Sequence, residues 1–266
     1  MRTLFSSEHE QFREQVRRFC EREIKPHYRD WEKAGHSPRE FWRKAGEHGM
    51  LCTTIPTEYG GPGGDFLHAC VVTEEMVRVG ANLGIPVHSD MVSPYLLHYG
   101  SEALKQKFLP RLCAGEIIGS IGMTEPGTGS DLKNIRTHAV RDGDDYVING
   151  QKVWITNGFN CGVVLVACKT DPAAGAKGVS LIAVEEGTPG FSRSQPMDKI
   201  GLKAQDTAEL FFDNVRVPAS NLLGEEGRGF VYLMQQLAQE RLVIAMRSTA
   251  TLEHQLEQTI RYTTDR

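Results

Sequence analysis

Apolar positions in this chain recur at helical spacing up to about residue 115, at strand spacing from 117 to about 223, and at helical spacing again from 224 to the end. The first region has clear start and stop signals. Ser7-Glu8-His9-Glu10 reads as a capping box, followed by Phe12, Val16 and Phe19 on one face. Ser37-Pro38-Arg39-Glu40 reads as a second box, with Pro at the first helical position and Gly49 at the stop. The stretch from Thr57 to Gly64 holds too much glycine for helix or strand and is either a linker or a loop at a site; a helical run follows from Asp65 to Arg78. A further helix after Ser101 carries Leu104, Phe108 and Leu112 at i, i+4 and i+8 and stops at Gly115. Residues 1–115 are therefore expected to form an all-helical domain.

In the second region, short β-rich runs occur at 146–148, 152–155, 163–166, 179–184 and 210–212. Asn149-Gly150 lies between two of them and predicts a hairpin turn. The connections are too short for helical crossovers, so residues 116–223 are expected to form an antiparallel sheet or barrel, making the chain α+β. No G-x-G-x-x-G opens a helix after a strand, and Gly175-Ala176-Lys177-Gly178 lacks phosphate-loop spacing. From Gly224, Gly-Glu-Glu-Gly-Arg-Gly-Phe begins one long helix over 224–266, the start of a helical bundle. Leu233, Leu237, Glu240 and Ile244 step along it by 4, 3 and 4 on a single stripe. A carboxylate on an apolar seam loses solvation, and its pKa rises toward that of an effective general base. The alternative is a Glu at the edge of a wet face, or one neutralised by Arg241.

Composition narrows the function by exclusion. The length of 266 residues fits roughly two domains; charged residues make up 24% and the net charge is −4, which gives no basic footprint for nucleic acid or a membrane surface. Six scattered cysteines without a C-x-x-C pair and a polar helical start point to a reducing compartment: the cytoplasm, or the mitochondrial matrix for a processed chain. None of the nine histidines forms H-E-x-x-H or another ligand pair at helical spacing, so no metal site is expected.

One segment is richer. In Thr124-Glu125-Pro126-Gly127-Thr128-Gly129-Ser130-Asp131, Pro126 pre-sets φ, while Gly127 and Gly129 permit positive φ and close backbone approach. Thr124, Thr128 and Ser130 supply hydroxyls. Any surface turn uses the same residue types, so this composition alone favours the ordinary reading. Trp154-Ile155-Thr156-Asn157-Gly158 follows 23 residues on. Together the two segments suggest a cofactor wall with neutral donors and an aromatic cover, as a flavin requires.

Met123 to Asp131, Asn149 to Gly158, and Gly201-Leu202-Lys203-Ala204-Gln205-Asp206-Thr207-Ala208-Glu209-Leu210-Phe211-Phe212 resemble three signatures of the acyl-CoA dehydrogenase family, in order and at the right spacing. The resemblance covers essentially the whole chain. It implies a helical N-terminal domain, a middle β-domain and a C-terminal helical domain, with FAD between the last two. By this resemblance Ile121, Gly122, Met123, Thr124, Glu125, Pro126, Gly127, Thr128, Gly129 and Ser130 form the first flavin-contacting strand and turn, Ser130 also touching the acyl-CoA. Trp154, Ile155 and Thr156 form the second segment, with Trp154 covering the flavin and Thr156 offering its hydroxyl near N5. Gln239-Glu240-Arg241-Leu242 is similar to the branch, including isovaleryl-CoA and long-chain enzymes, that carries its base on this helix, which makes Glu240 the candidate catalytic residue. Val231, Ala238, Gln239, Glu240 and Arg241 fall where the substrate is met, and Ala176 and Lys177 in a loop that can reach CoA, although a plain loop charge is the simpler reading of Lys177.

The resemblance further implies an electron-transfer flavoprotein as acceptor and a homo-oligomer, dimer or tetramer. Related flavoenzymes that pass electrons to oxygen, such as acyl-CoA oxidases and nitroalkane oxidases, share the pattern; a non-catalytic acyl-CoA-binding fragment is the third reading. Two departures stand out. Family members continue beyond Tyr262-Thr263-Thr264-Asp265-Arg266 into further helices, so the last helix is expected to lack a bundle partner, leaving its stripe, Glu240 included, exposed or packed on another chain. Thr128 stands where alanine is common in the family.

Overall fold

The computed structural model describes residues 4–266. Helix α1 (Ser7–Phe19) does start with a capping box, but one residue earlier than the pattern suggests. Ser6 is the cap, its Oγ accepting from the His9 amide at 3.4 Å while its own amide donates to His9 Nδ1 at 3.0 Å. An imidazole nitrogen can do what a Glu does in the usual box, which a residue-type pattern does not anticipate. A π-helical turn (Cys20–Ile24) leads to α2 (Tyr28–Ala34) and α3 (Arg39–Glu47). The second expected box is absent: the Ser37 hydroxyl accepts from the Trp42 indole at 3.1 Å, and Pro38 takes the cap position without a side-chain bond.

Helix α4 (Phe66–Arg78) is capped by Asp65, a second π-helical turn (Val87–Val92) feeds α5 (Ser93–Tyr99), and α6 (Glu102–Cys113) completes the helical region. Phe19, Trp42, Tyr95 and Phe108 fill its core, and all six cysteines are buried and free. The fold brings His9, Asp65 and His68 together, which no sequence spacing foretold. Asp65 Oδ1 there accepts from the Leu67 and His68 amides at the positive end of α4, a place that favours an anion over a cation.

Seven strands follow: β1 (Gly119–Gly122), β2 (His138–Asp142), β3 (Asp145–Thr156), β4 (Val163–Lys169), β5 (Val179–Glu185), β6 (Phe191–Arg193) and β7 (Thr207–Pro218). They form one curled sheet in the order β1-β4-β2-β3-β7-β6, with β5 on β4. The sheet is mixed rather than purely antiparallel, because β1 runs parallel to β4 with Gly119 opposite Val163. A parallel pair needs a long crossover, and the β2–β3 hairpin supplies it where a helix was assumed necessary.

That hairpin turns at Gly143 (φ 62°), between Asp142 and Asp145, and not at Asn149-Gly150. Strand β3 runs straight through Asn149-Gly150, which forms a bulge against β7. The Asn149 side chain accepts from the Asn214 amide at 2.8 Å, and Gly150 lies against Thr137 with no room for a Cβ. Cross-strand packing has therefore taken over a dipeptide that locally favours a turn.

Helix α7 (Gly229–Thr264), about 54 Å long at 1.5 Å per residue, packs chiefly along α4. Its inward stripe is Leu233, Gln236, Glu240, Val243 and Ala250; Leu237 is only half-buried and Ile244 is exposed. The expected phase was thus right at 233 and 240 and rotated at its other two positions. Glu240 is buried, contrary to the expectation of an exposed or intermolecular stripe, whereas Leu252, Leu256, Ile260 and Tyr262 beyond it are exposed. Among the described residues, no helix is long and apolar enough to cross a membrane.

Candidate active site

The hydroxyl-rich turn is hung from β1 by buried chemistry. Glu125 and Thr128 close it with reciprocal backbone bonds of 2.8 and 3.0 Å. The Glu125 carboxylate points into the protein, where it meets Lys152 Nζ at 2.8 Å and the Arg136 and Thr137 amides at 2.6 and 2.9 Å. Lys152, fully buried, also donates to the Met123 carbonyl at 3.0 Å. Burial works against the charge of both partners. The ammonium and amides nevertheless hold the Glu125 carboxyl below its ordinary range, while Lys152 is pushed down by desolvation. Gly122 leaves space for the Lys152 stem, since a Cβ there would come within 3.2 Å of Lys152 Cγ.

These contacts sort the predicted residues. Glu125 and Thr128 face inward, the latter donating to the Asn134 carbonyl at 3.2 Å; Ile121 and Gly122 are buried in β1 and Met123 is half-buried. Pro126, Gly127, Gly129 and Ser130 are exposed. Gly127 and Gly129 do not adopt positive φ, contrary to expectation. What their missing side chains provide is space, for no heavy atom lies within 4 Å of where either Cβ would stand. The Thr124 side chain has no hydrogen bond within the described residues, and neither does that of Ser130, although the Thr124 carbonyl accepts from Val153 at 2.9 Å and ties the turn to β3.

At the end of β3 the strand alternates: Ile155 enters the sheet core, while Trp154 is 64% exposed and Thr156 half-buried. A bulge between Lys152 and Ile155 puts Trp154 at φ 60°, a left-handed conformation that is unfavourable for a bulky residue. Asn157, at φ 61°, donates through Nδ2 to the Gly84 and Gly119 carbonyls at 2.9 and 3.1 Å, fastening the strand end to the helical region. Thr156 Oγ1 accepts from Gln205 Nε2 at 3.3 Å.

Between α5 and α7, Tyr95 Oη donates to Glu240 Oε1 at 2.7 Å. Burial raises the Glu240 carboxyl above its ordinary 4.5, and the Tyr95 bond pulls the other way without cancelling it. The same helix supports this pair with Gln236, bonded to His98 Nδ1 at 2.7 Å, and with Tyr232 stacked on Tyr99 at 4.1 Å. Gln239 and Val231 are half-buried; Ala238, Arg241 and Lys177 are exposed, and Ala176 is half-buried. Among the described residues no ion pair joins Arg241 to Glu240, and the only side chain bonded to that carboxylate is Tyr95. Tyr95 was not singled out in the sequence, and Gln205, Lys152 and Asn157 stood there only inside longer motifs, with no role of their own. Only Lys152, a lone cation inside a β-rich run, carried a signal that could have flagged it.

Comparison with known proteins agrees with this architecture. The model of the acyl-CoA dehydrogenase N-terminal domain matches residues 6–116, and that of the middle domain matches residues 120–215. The chain is 50% identical over its whole length to the long-chain specific acyl-CoA dehydrogenase of Sus scrofa, and it spans 63% of that relative. It is 38% identical to the isovaleryl-CoA dehydrogenase of Oryza sativa subsp. japonica, over 99% of the chain and 65% of the relative. The crystal structure of an acyl-CoA dehydrogenase from Geobacillus kaustophilus superposes with a TM-score of 0.97 at 51% identity, covering 100% of this chain and 71% of the other. By its sequence, its two matched domains and its fold, the chain belongs to the acyl-CoA dehydrogenase family.

Proposed function

We propose that this chain is the substrate- and flavin-facing part of an FAD-dependent acyl-CoA dehydrogenase, which removes an α-proton and a β-hydride from an acyl-CoA thioester to give the trans-2-enoyl-CoA. The observation that carries this reading is Glu240, buried on α7, raised in pKa and bonded through one oxygen to Tyr95. A base near its working pH is the most efficient proton acceptor, and burial moves a carboxyl in that direction.

The residues present fit a flavin. An exposed Trp154 supplies an uncovered aromatic face, Thr124 and Ser130 hold unused hydroxyls, and Gly127 and Gly129 leave open space beside the backbone. When bound, FAD supplies the hydride acceptor. The chain's own residues do the rest. Glu240 Oε2 takes the α-proton while Tyr95 fixes Oε1. Thr156, whose hydroxyl accepts from Gln205, would offer its proton to a bound flavin, and the exposed Trp154 would shield that flavin from water. Ser130, Val231, Ala238, Gln239 and Arg241 border the acyl-CoA. A reduced flavin held here would be reoxidised by an electron-transfer flavoprotein, and the working protein would be a homo-oligomer.

The test uses the gene product that contains this chain. It should bind FAD, bleach it anaerobically with an acyl-CoA, and exchange the α-proton of a non-oxidisable acyl-CoA analogue with solvent. Stoichiometric peroxide in air would replace this reading with an oxidase, and absence of bound flavin would reduce the chain to an acyl-CoA-binding module.

A further inference from the structure

Helix α7 carries an unusual cation on the stripe that holds Glu240. Arg247 lies seven residues further on, two turns or about 10 Å along the axis. It is half-buried and has no carboxylate partner among the described residues, and desolvation alone lowers its pKa from the ordinary arginine value. Among the described residues, its one side-chain hydrogen bond runs from Nη1 to Gln205 Oε1 at 3.4 Å, and Gln205 Nε2 in turn reaches Thr156 Oγ1 at 3.3 Å.

The donor inventory fixes the polarity of this chain. A guanidinium can only donate, so it selects the Gln205 carbonyl oxygen. The amide NH2 must then face Thr156, whose oxygen can only accept from it. The Thr156 proton is thereby directed away from Gln205 and left free to donate elsewhere. Without a cation at the far end, the Gln205 amide could turn over, and Thr156 would spend its proton on the amide oxygen.

We propose that Arg247 is a positioning residue that acts through Gln205 to hold the Thr156 hydroxyl as a donor toward the hydride-accepting ring. Resting on the flavin reading above, the arrangement makes the ring easier to reduce, because a directed donor and an unpaired positive charge both favour the negative charge that arrives with hydride.

Flavin midpoint potentials measured on the FAD-loaded gene product test it. Arg247→Met removes the cation, and Gln205→Glu keeps the contact to Arg247 but offers Thr156 only an acceptor. Each should make the two-electron reduction about tenfold less favourable, about 30 mV. Arg247→Lys, which can also only donate, should stay within about threefold of wild type. Unchanged potentials in Arg247→Met and Gln205→Glu overturn the proposal while leaving the flavin reading intact, and so does an Arg247→Lys as defective as Arg247→Met. If Arg247→Met fails to fold, Gln205→Glu carries the test. A wild-type protein without flavin brings down both readings.

Discussion

Tyr95→Phe perturbs the candidate base through a single atom. The ring of Tyr95 is fully buried, so phenylalanine preserves its packing, while the 2.7 Å bond from Oη to Glu240 Oε1 is lost. A hydrogen bond to a charged acceptor contributes about 1.5–3 kcal/mol. Removing it should therefore lift the Glu240 carboxyl further above its ordinary range than burial alone already does. The sign follows from the cause. Burial disfavours the carboxylate, the tyrosine bond favours it, and only the second is removed. Since the base must be ionised to accept a proton, the acid limb of kcat/KM should move to higher pH, lowering the rate at a fixed pH on that limb about tenfold or more, with the plateau at high pH little changed. Stability shifts in the same window. The folded protein holds this proton more tightly than the unfolded chain, so the stability linked to Glu240 is present at low pH and lost as pH rises through the folded pKa, which lies higher in the variant. The measurement is a pH profile of the gene product with a saturable acyl-CoA, paired with analogue proton exchange over the same range. An acid limb that stays in place, or moves down, would refute the assignment of Glu240 as the base governed by Tyr95.

Three further outcomes are expected. Glu240→Gln should abolish α-proton exchange while FAD remains bound; retained exchange would place the base on another residue. Lys152→Met leaves the Glu125 carboxylate buried beside only two amides, and urea unfolding should show a loss of about 3 kcal/mol with weaker flavin retention. A loss under about 1 kcal/mol would mean that the turn does not depend on this pair. Trp154→Gly should leave stability within about 0.5 kcal/mol, because relief of the left-handed conformation offsets glycine's backbone entropy, yet it should slow flavin bleaching by substrate. A large destabilisation there would show that Trp154 packs more than its 64% exposure allows.

The strain at Trp154 has a structural origin. The bulge between Lys152 and Ile155 separates two needs of one strand: Lys152 and Ile155 must enter the interior, while Trp154 and Thr156 must face outward near the turn of residues 124–130. Regular alternation would have sent residues 152 and 154 to the same face. One left-handed residue corrects the phase.

The features legible in the sequence were those set within a few residues of one another. The helical run expected from Asp65 to Arg78 became helix α4 (Phe66–Arg78), and the β-rich runs became strands. The burial of Glu240 was legible because 233 and 240 lie two turns apart on one face of the helix. What the sequence could not reveal depends on groups far apart in the chain. The hydroxyl that tunes Glu240 lies 145 residues away, and the ammonium under Glu125 lies 27 residues away on another strand. Asn149-Gly150 shows the same divide from the other side: its turn propensity was outweighed by the bonds and packing of a strand paired on both edges. Period, caps and composition act along the backbone and can be read from neighbours. Burial, pKa and the direction of a proton are set by whatever the folded chain places on the other side, and only the tertiary structure supplies that partner.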